Sequence, residues 1–245
     1  MNVKKLLIIV LLTVGVAGAS AQRAMNRPYV DDKIIHFGFS LGMNFMSYSV
    51  TDSKLSVSGR LEGGSFSDQV LHARVSSLFP GFSVGFVTDL RLAKHLNLRF
   101  TPELHFGERT ITYVSESGLL GKFTTDVLCM PISFPLMLKW SADRESNYRP
   151  YVVAGGGVSY DFGQDKEKQI LQKPLDYFLQ VGFGCDFYFP WFKLCPELKY
   201  QLGFNNVLTP MDERNEGISA STEGFYTDAI SRLRSHMITL TFNFE

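Results

Sequence analysis

Long hydrophobic runs are missing from this 245-residue chain. Its most apolar stretch, Leu6 to Val16, is about half of the ~20 residues a membrane-spanning helix needs. Net charge is missing too: 24 basic residues balance 24 acidic ones. No basic stripe is left to hold a nucleic acid. Catalytic motifs are absent, with no Walker loop, G-x-S-x-G, H-E-x-x-H or C-x-x-C in the sequence. The histidines, His36, His72, His95, His105 and His236, are scattered without metal-ligand spacing. These absences lead us to expect no catalytic residue, no cofactor or metal, no nucleic-acid partner and no small-molecule substrate. The chain reads as something other than an enzyme.

What is present starts with a leader. Lys4 and Lys5 precede the Leu6–Val16 run, and small residues end in Ala19-Ser20-Ala21. A basic start, a short apolar core and an A-x-A site make a cleaved signal peptide. We therefore expect a signal peptide at 1–21, a short periplasmic segment at 22–33 and one β-domain at 34–245. No cysteine sits at the cleavage point, where Gln22 follows Ala21, so lipid anchoring is not indicated.

The remainder alternates with period two, the signature of β-strands. The first run sets Ile35, Phe37, Phe39, Leu41, Met43 and Phe45 against His36, Gly38, Ser40, Gly42 and Asn44. Seven further runs repeat the pattern, around Phe82–Leu92, Leu96–Phe106, Leu128–Trp140, Val152–Phe162, Leu175–Phe189, Phe192–Phe204 and Ile238–Phe244. Alternation alone fits both a soluble sandwich and a membrane barrel. Connection lengths separate them. Short links, Ala93–His95, Ser141–Arg149 and Pro190–Trp191, take turns with longer ones, Thr51–Pro80, Ser115–Lys122, Gly163–Pro174 and Thr209–Ser235. Short periplasmic turns and long outer loops are the habit of up-and-down membrane barrels. The expected fold is all-β: an eight-stranded antiparallel up-and-down transmembrane β-barrel of the outer membrane, with lipid as its first partner. The aromatic final strand, ending Phe242, Asn243, Phe244, Glu245, agrees.

Parity then assigns side chains. Asp89, Arg91, Arg99, Glu103, Asp161, Asp186, Lys193, Glu197 and Lys199 fall on the inner face. Eight strands leave room for side chains and little else, so we read these charges as a mutually neutralising plug rather than a channel lining. Centring the second hairpin on Ala93–His95 sets Asp89 against Arg99. A two-residue turn at Pro190–Trp191 sets Asp186 against Cys195 and diagonal to Lys193, its natural ion-pair partner. Cys185 then points out and Cys195 in, so they cannot bond, and Cys129 is not beside them. All three thiols are expected free. Outward at the strand ends beside the short turns and termini lie Phe37, Trp140, Phe189, Phe192, Phe242 and Phe244. They read as a periplasmic aromatic girdle.

Three segments carry a family resemblance. Asp31-Asp32-Lys33-Ile34-Ile35-His36-Phe37-Gly38-Phe39-Ser40-Leu41-Gly42-Met43-Asn44 opens the first strand, Pro80-Gly81-Phe82 opens the second, and Arg99 to Leu104 lies in the third. Together with the long first outer loop, they resemble PorT-family barrels of Bacteroidetes. The resemblance implies an outer-membrane component of type IX secretion, needed for export of surface proteases and adhesins, with other secretion-system proteins as partners. The family carries no catalytic residues, so none transfer. A passive porin is disfavoured, since water-filled barrels need ~16 strands. The alternative is a surface adhesin or receptor barrel that binds through its long outer loops, such as Ser53–Ser77 and Met211–Ser231.

Cleavage after Ala21 gives a first measurement. Terminal sequencing of the protein from a membrane fraction should read Gln22-Arg23-Ala24. Retention of Met1 would remove the export argument.

Overall fold

The computed structural model describes residues 25–52, 57–60, 66–69, 71–115, 123–162, 173–209 and 230–245. The expected signal peptide, 1–21, lies outside these residues, as do parts of the long connections. A single 3-10 turn, Val30–Asp32, precedes thirteen strands: β1 (Ile35–Asp52), β2 (Val57–Arg60), β3 (Phe66–Gln69), β4 (Leu71–Leu78), β5 (Pro80–Arg91), β6 (Leu96–Phe100), β7 (Glu103–Ser115), β8 (Phe123–Cys129), β9 (Pro131–Ser141), β10 (Tyr148–Asp161), β11 (Leu175–Tyr188), β12 (Lys193–Gly203) and β13 (Ile230–Phe244).

These strands make eight staves. Phe79 interrupts β4 and β5, Thr101-Pro102 interrupts β6 and β7, and Met130 interrupts β8 and β9, yet each pair runs on as one stave. Register runs unbroken from β6 into β7 against the fourth stave, since Phe100 is opposite Leu136 and Glu103 opposite Ser133. On the second stave the register shifts instead, inside β4 between Val75 and Leu78. Each stave pairs antiparallel with its sequence neighbours, and β13 returns to β1 to close the ring. That closing seam runs from Phe39 opposite Phe244 to Thr51 opposite Arg232.

The sidedness is that of a membrane barrel. On β1, Ile35, Phe37, Phe39, Leu41 and Met43 are exposed, whereas Ser40 and Asn44 are buried. Large apolar side chains also cover the outside of β9, β10 and β11. The interior is charged and polar, with Arg99, Lys139, Lys199, Glu103 and Glu197 among its largest fully buried side chains. A soluble sandwich would be unstable with its faces arranged this way. In hydrocarbon the arrangement is the favourable one, and this settles the ambiguity that alternation leaves.

Two expectations about connections need correction. The stretch Thr51–Pro80 is not one loop: it contains the separate β2–β3 hairpin and β4, so the second stave begins at Leu71. The last stave begins at Ile230 rather than near Ser235. Both were missed because apolar alternation stops where strands rise beyond the hydrocarbon and turn polar. Ser47, Ser49 and Thr51 of β1 lie opposite His236, Arg234 and Arg232 of β13.

The seam can be checked by cross-linking in a chain whose three cysteines are replaced by serine. Met43 is opposite Leu240, and directly opposed Cβ atoms are ~4.5–5.5 Å apart. Met43→Cys with Leu240→Cys should couple under mild oxidant, and Met43→Cys with Phe242→Cys should not. The reverse outcome would mean a slipped seam.

Candidate functional site: a charged lumen and its strap

Inward positions of six staves converge at the short-turn end of the lumen. β5 supplies Asp89 and β6 supplies Arg99, directly opposed in the ladder. Arg99 holds three carboxylates: Asp89 at 2.8 Å, Glu197 at 2.8 Å and Glu245 at 2.9 Å. Lys139 sits 2.7 Å from Asp186 and 3.8 Å from Asp89. Lys193 sits 2.5 Å from Glu245. Lys199 bridges Glu103 at 2.6 Å and approaches Glu197 at 3.8 Å. The Tyr151 hydroxyl donates to Glu197 at 2.8 Å, and the ring packs under the Lys139 ammonium at 4.0 Å. His105 joins Ser83 and Ser133 through its two ring nitrogens, each at 2.8 Å. All these charged groups are essentially inaccessible to solvent. An unpaired charge in such a place is costly, and pairing with further hydrogen bonds is what makes it tolerable.

Glycine makes the geometry possible at one point above all. A Cβ at Gly184 would lie 2.5 Å from the Tyr151 ring and hydroxyl. The ring therefore occupies the space that any side chain at 184 would need.

Of the nine charges read as lumenal, Asp89, Arg99, Glu103, Asp186, Lys193, Glu197 and Lys199 lie together. Arg91 does not: it ends its strand, part exposed, 3.2 Å from Asp32. One residue of strand length separates the lumen from the rim, and parity alone does not see it. Asp161 is at the opposite end, where it accepts the Met130 N–H at 2.9 Å. Lys193 is not the partner of Asp186; Lys139 reaches across instead, leaving Lys193 to the chain's last residue. Sequence reasoning missed Lys139, Tyr151 and Glu245. The parity signal was available for each. Lys139 lies between the outward Leu138 and Trp140, Tyr151 beside the outward Val152, and Glu245 one step past the outward Phe244. None of Cys129, Cys185 and Cys195 is in a disulfide, and Cys129 and Cys195 are buried.

A strap closes this end. Residues 25–34 cross the turn side of the barrel and are held from several staves. The Asn26 backbone N–H donates to Asn147 at 2.8 Å, and its side chain donates to the Tyr188 carbonyl at 3.0 Å. Arg144 donates to the Asn26 and Arg27 carbonyls and stacks 3.5 Å over the Tyr188 ring. Asp31 accepts from the Tyr188 hydroxyl at 2.8 Å and lies 3.6 Å from Arg144. Arg27 donates to the Glu245 carbonyl at 3.3 Å. Val30 is buried, and His36 donates to its carbonyl at 2.8 Å.

The other end is looser. Arg109 donates to Tyr48 at 2.9 Å and Ser235 at 2.8 Å. Beside it a cavity of about 20 Å³ is bordered by Ser159, Asp161, Lys173 and Asp176, room for one water. Among the described residues no group of three or more His, Cys, Asp or Glu is arranged to hold a metal ion.

Outside, Phe37, Trp140, Phe189, Phe192 and Phe242 are exposed, and Phe244 is partly so. They lie on the short-turn half. Phe189 stacks on Phe192 with centroids 5.0 Å apart, and Phe192 approaches Phe244 at 6.0 Å.

Arg99 as hub makes the network testable. Arg99→Ala removes the one cation shared by three buried carboxylates and should destabilise by ~3–5 kcal/mol, the usual effect of breaking a buried pair. Asp89→Asn leaves Arg99 with two acidic partners and should cost clearly less. Heat- and urea-dependent gel mobility measures both. Equal losses would refute the hub.

No curated protein matches the chain. Solved barrels resemble it at low identity. The outer membrane protein OprG from Pseudomonas aeruginosa shares 10% identity at a TM-score of 0.47, covering 92% of this chain and 96% of that one. Neisserial surface protein A shares 12% at 0.42, covering 86% and 98%. The attachment invasion locus protein of Yersinia pestis shares 11% at 0.32, covering 85% and 96%. The family described as "Outer membrane protein beta-barrel domain" matches residues 20–209. The chain belongs to that outer-membrane β-barrel family, and the outer membrane is where it resides.

Proposed function

We propose that the protein is a non-enzymatic, PorT-like component of the type IX secretion apparatus, needed for export of surface proteases and adhesins. The observation that carries this reading is the closed lumen. The Arg99 cluster fills the short-turn end with buried, mutually paired charges, and the strap lies across the same opening. A barrel sealed in this way has no route for cargo or solute. Its work falls to its surfaces, in contact with other secretion-system proteins. The segments Asp31–Asn44, Pro80–Phe82 and Arg99–Leu104, which resemble PorT barrels, supply the particular system. In this reading the mature chain begins at Gln22, and the aromatic girdle from Phe37 to Phe244 settles at the periplasmic membrane boundary. The lumenal charges fix register and take no part in chemistry.

The test is a gene deletion complemented in trans. Deletion should leave secreted proteases inside the cell, and wild-type protein should restore them to the medium. A folded, inserted Asp89→Asn/Arg99→Gln barrel should restore them as well. Intact export in the deletion strain with loss of surface attachment would overturn this reading in favour of the adhesin. Failure of the folded double variant to restore export would assign the lumen a functional role.

A further inference from the structure

The outward stripe of β13 changes chemistry part-way along. From the turn end it reads Phe244, Phe242, Leu240 and Ile238, then His236, Arg234 and Arg232. The first four continue the apolar band of neighbouring β1, where Phe39, Leu41, Met43 and Phe45 are their ladder partners. The last three face Ser47, Ser49 and Thr51 across the same seam. Both strands therefore turn polar at one height, and only β13 turns basic.

No acidic side chain among the described residues accounts for these cations. Among the described residues, the side chain of neither Arg232 nor Arg234 makes a hydrogen bond or an ion pair, and the Arg234 Nε is shielded from solvent without a partner. His236 is oriented by Tyr200: the rings stack with centroids 6.2 Å apart, and Nδ1 lies 3.3 Å from the tyrosine hydroxyl. Successive outward residues on a strand are ~6.6 Å apart, so the guanidiniums form a short ladder up the barrel wall. Arginine facing hydrocarbon is expensive at the bilayer centre and nearly free at the boundary. The stripe begins one outward step past Ile238, so it sits at headgroup level on the long-loop side. It points sideways into the membrane plane rather than up into solvent.

We propose that Arg232 and Arg234, flanked by His236, bind the phosphate-bearing headgroup of an outer-leaflet lipid. The guanidinium fork matches phosphate oxygens with two parallel hydrogen bonds. Basic residues at a membrane surface attract anionic lipid. Charge complementarity selects this occupant over an uncharged lipid, and the sideways orientation selects a lipid over a soluble ligand.

The experiment titrates folded barrel in uncharged dodecyl maltoside with dioleoyl phosphatidate and reads bound lipid by native mass spectrometry. Dioleoylglycerol, with the same chains and no phosphate, and inorganic phosphate alone are parallel arms. Phosphatidate should bind at far lower concentration than either. Arg232→Gln/Arg234→Gln should weaken it about 30-fold, the product of ~1 kcal/mol per arginine, and Arg232→Lys/Arg234→Lys should retain much of it. Lys94→Gln, at an exposed turn, should change nothing. Equal binding of dioleoylglycerol, competition by inorganic phosphate at matching concentration, or unchanged binding by a folded glutamine variant would overturn the proposal. So would loss of a dimer peak in place of a lipid adduct, which would make the stripe a contact between copies. If the glutamine variant does not fold, the comparison of phosphatidate with dioleoylglycerol on the wild-type barrel still decides.

Discussion

A strand in hydrocarbon has no water to receive its backbone polar groups, so each N–H and C=O must find another strand. Eight staves satisfy this only because the last pairs with the first, and the long β1–β13 seam is where that happens. Most other features follow. Closure fixes the diameter, and eight strands leave an interior as wide as the side chains that fill it. Parity turns apolar residues outward and polar ones into that interior. Charges that enter it have nowhere to go except to one another.

This constraint explains why the lumen is dense with ion pairs at one end. Buried pairs are weak evidence for stability, since desolvation offsets most of the attraction. Their effect is on register. Shifting a stave by one residue would expel Arg99 or Asp89 into lipid and bring Leu98 or Leu90 inside. A shift of two would keep the faces and separate Arg99 from its three carboxylates. The network therefore penalises both the odd and the even errors that a purely apolar filling would tolerate.

Much of this was legible in the sequence. Strand number, closure, sidedness and the Asp89–Arg99 opposition need only period two and the position of short turns. Two kinds of information were not. Strand ends that rise out of the membrane, as in β4 and the start of β13, lose apolar alternation because neither face meets lipid. Partner choice inside the lumen depends on reach across the barrel: Lys139 lies two staves from Asp186, so no ladder diagram brings them together. Glu245 was readable by parity as inward, yet its role requires knowing that the chain's end lies over the same opening that Arg99 fills. The strap had no signal of its own. Residues 25–34 carry no periodicity, and they are held by contacts with groups distant in sequence, from Arg91 to Glu245.

Those contacts bear on how the barrel is completed. The strap's partners are Arg91 at the end of β5, Arg144 and Asn147 in the turn before β10, Tyr188 at the end of β11, and Glu245 after β13. They belong to staves spread around the ring. Asn147 and Tyr188 already meet where β10 pairs with β11, but Arg91 joins them only when the sheet has curled, and Glu245 reaches its place only when β13 has paired. The strap's full set of contacts therefore forms only on a closed barrel. Once docked, it ties the residues just before β1 to Glu245, one step past β13, so both sides of the closing seam are held from below by groups that hydrocarbon never meets. A periplasmic protein that recognised this whole surface would be recognising a finished barrel, because Arg91 and Glu245 complete it only after closure.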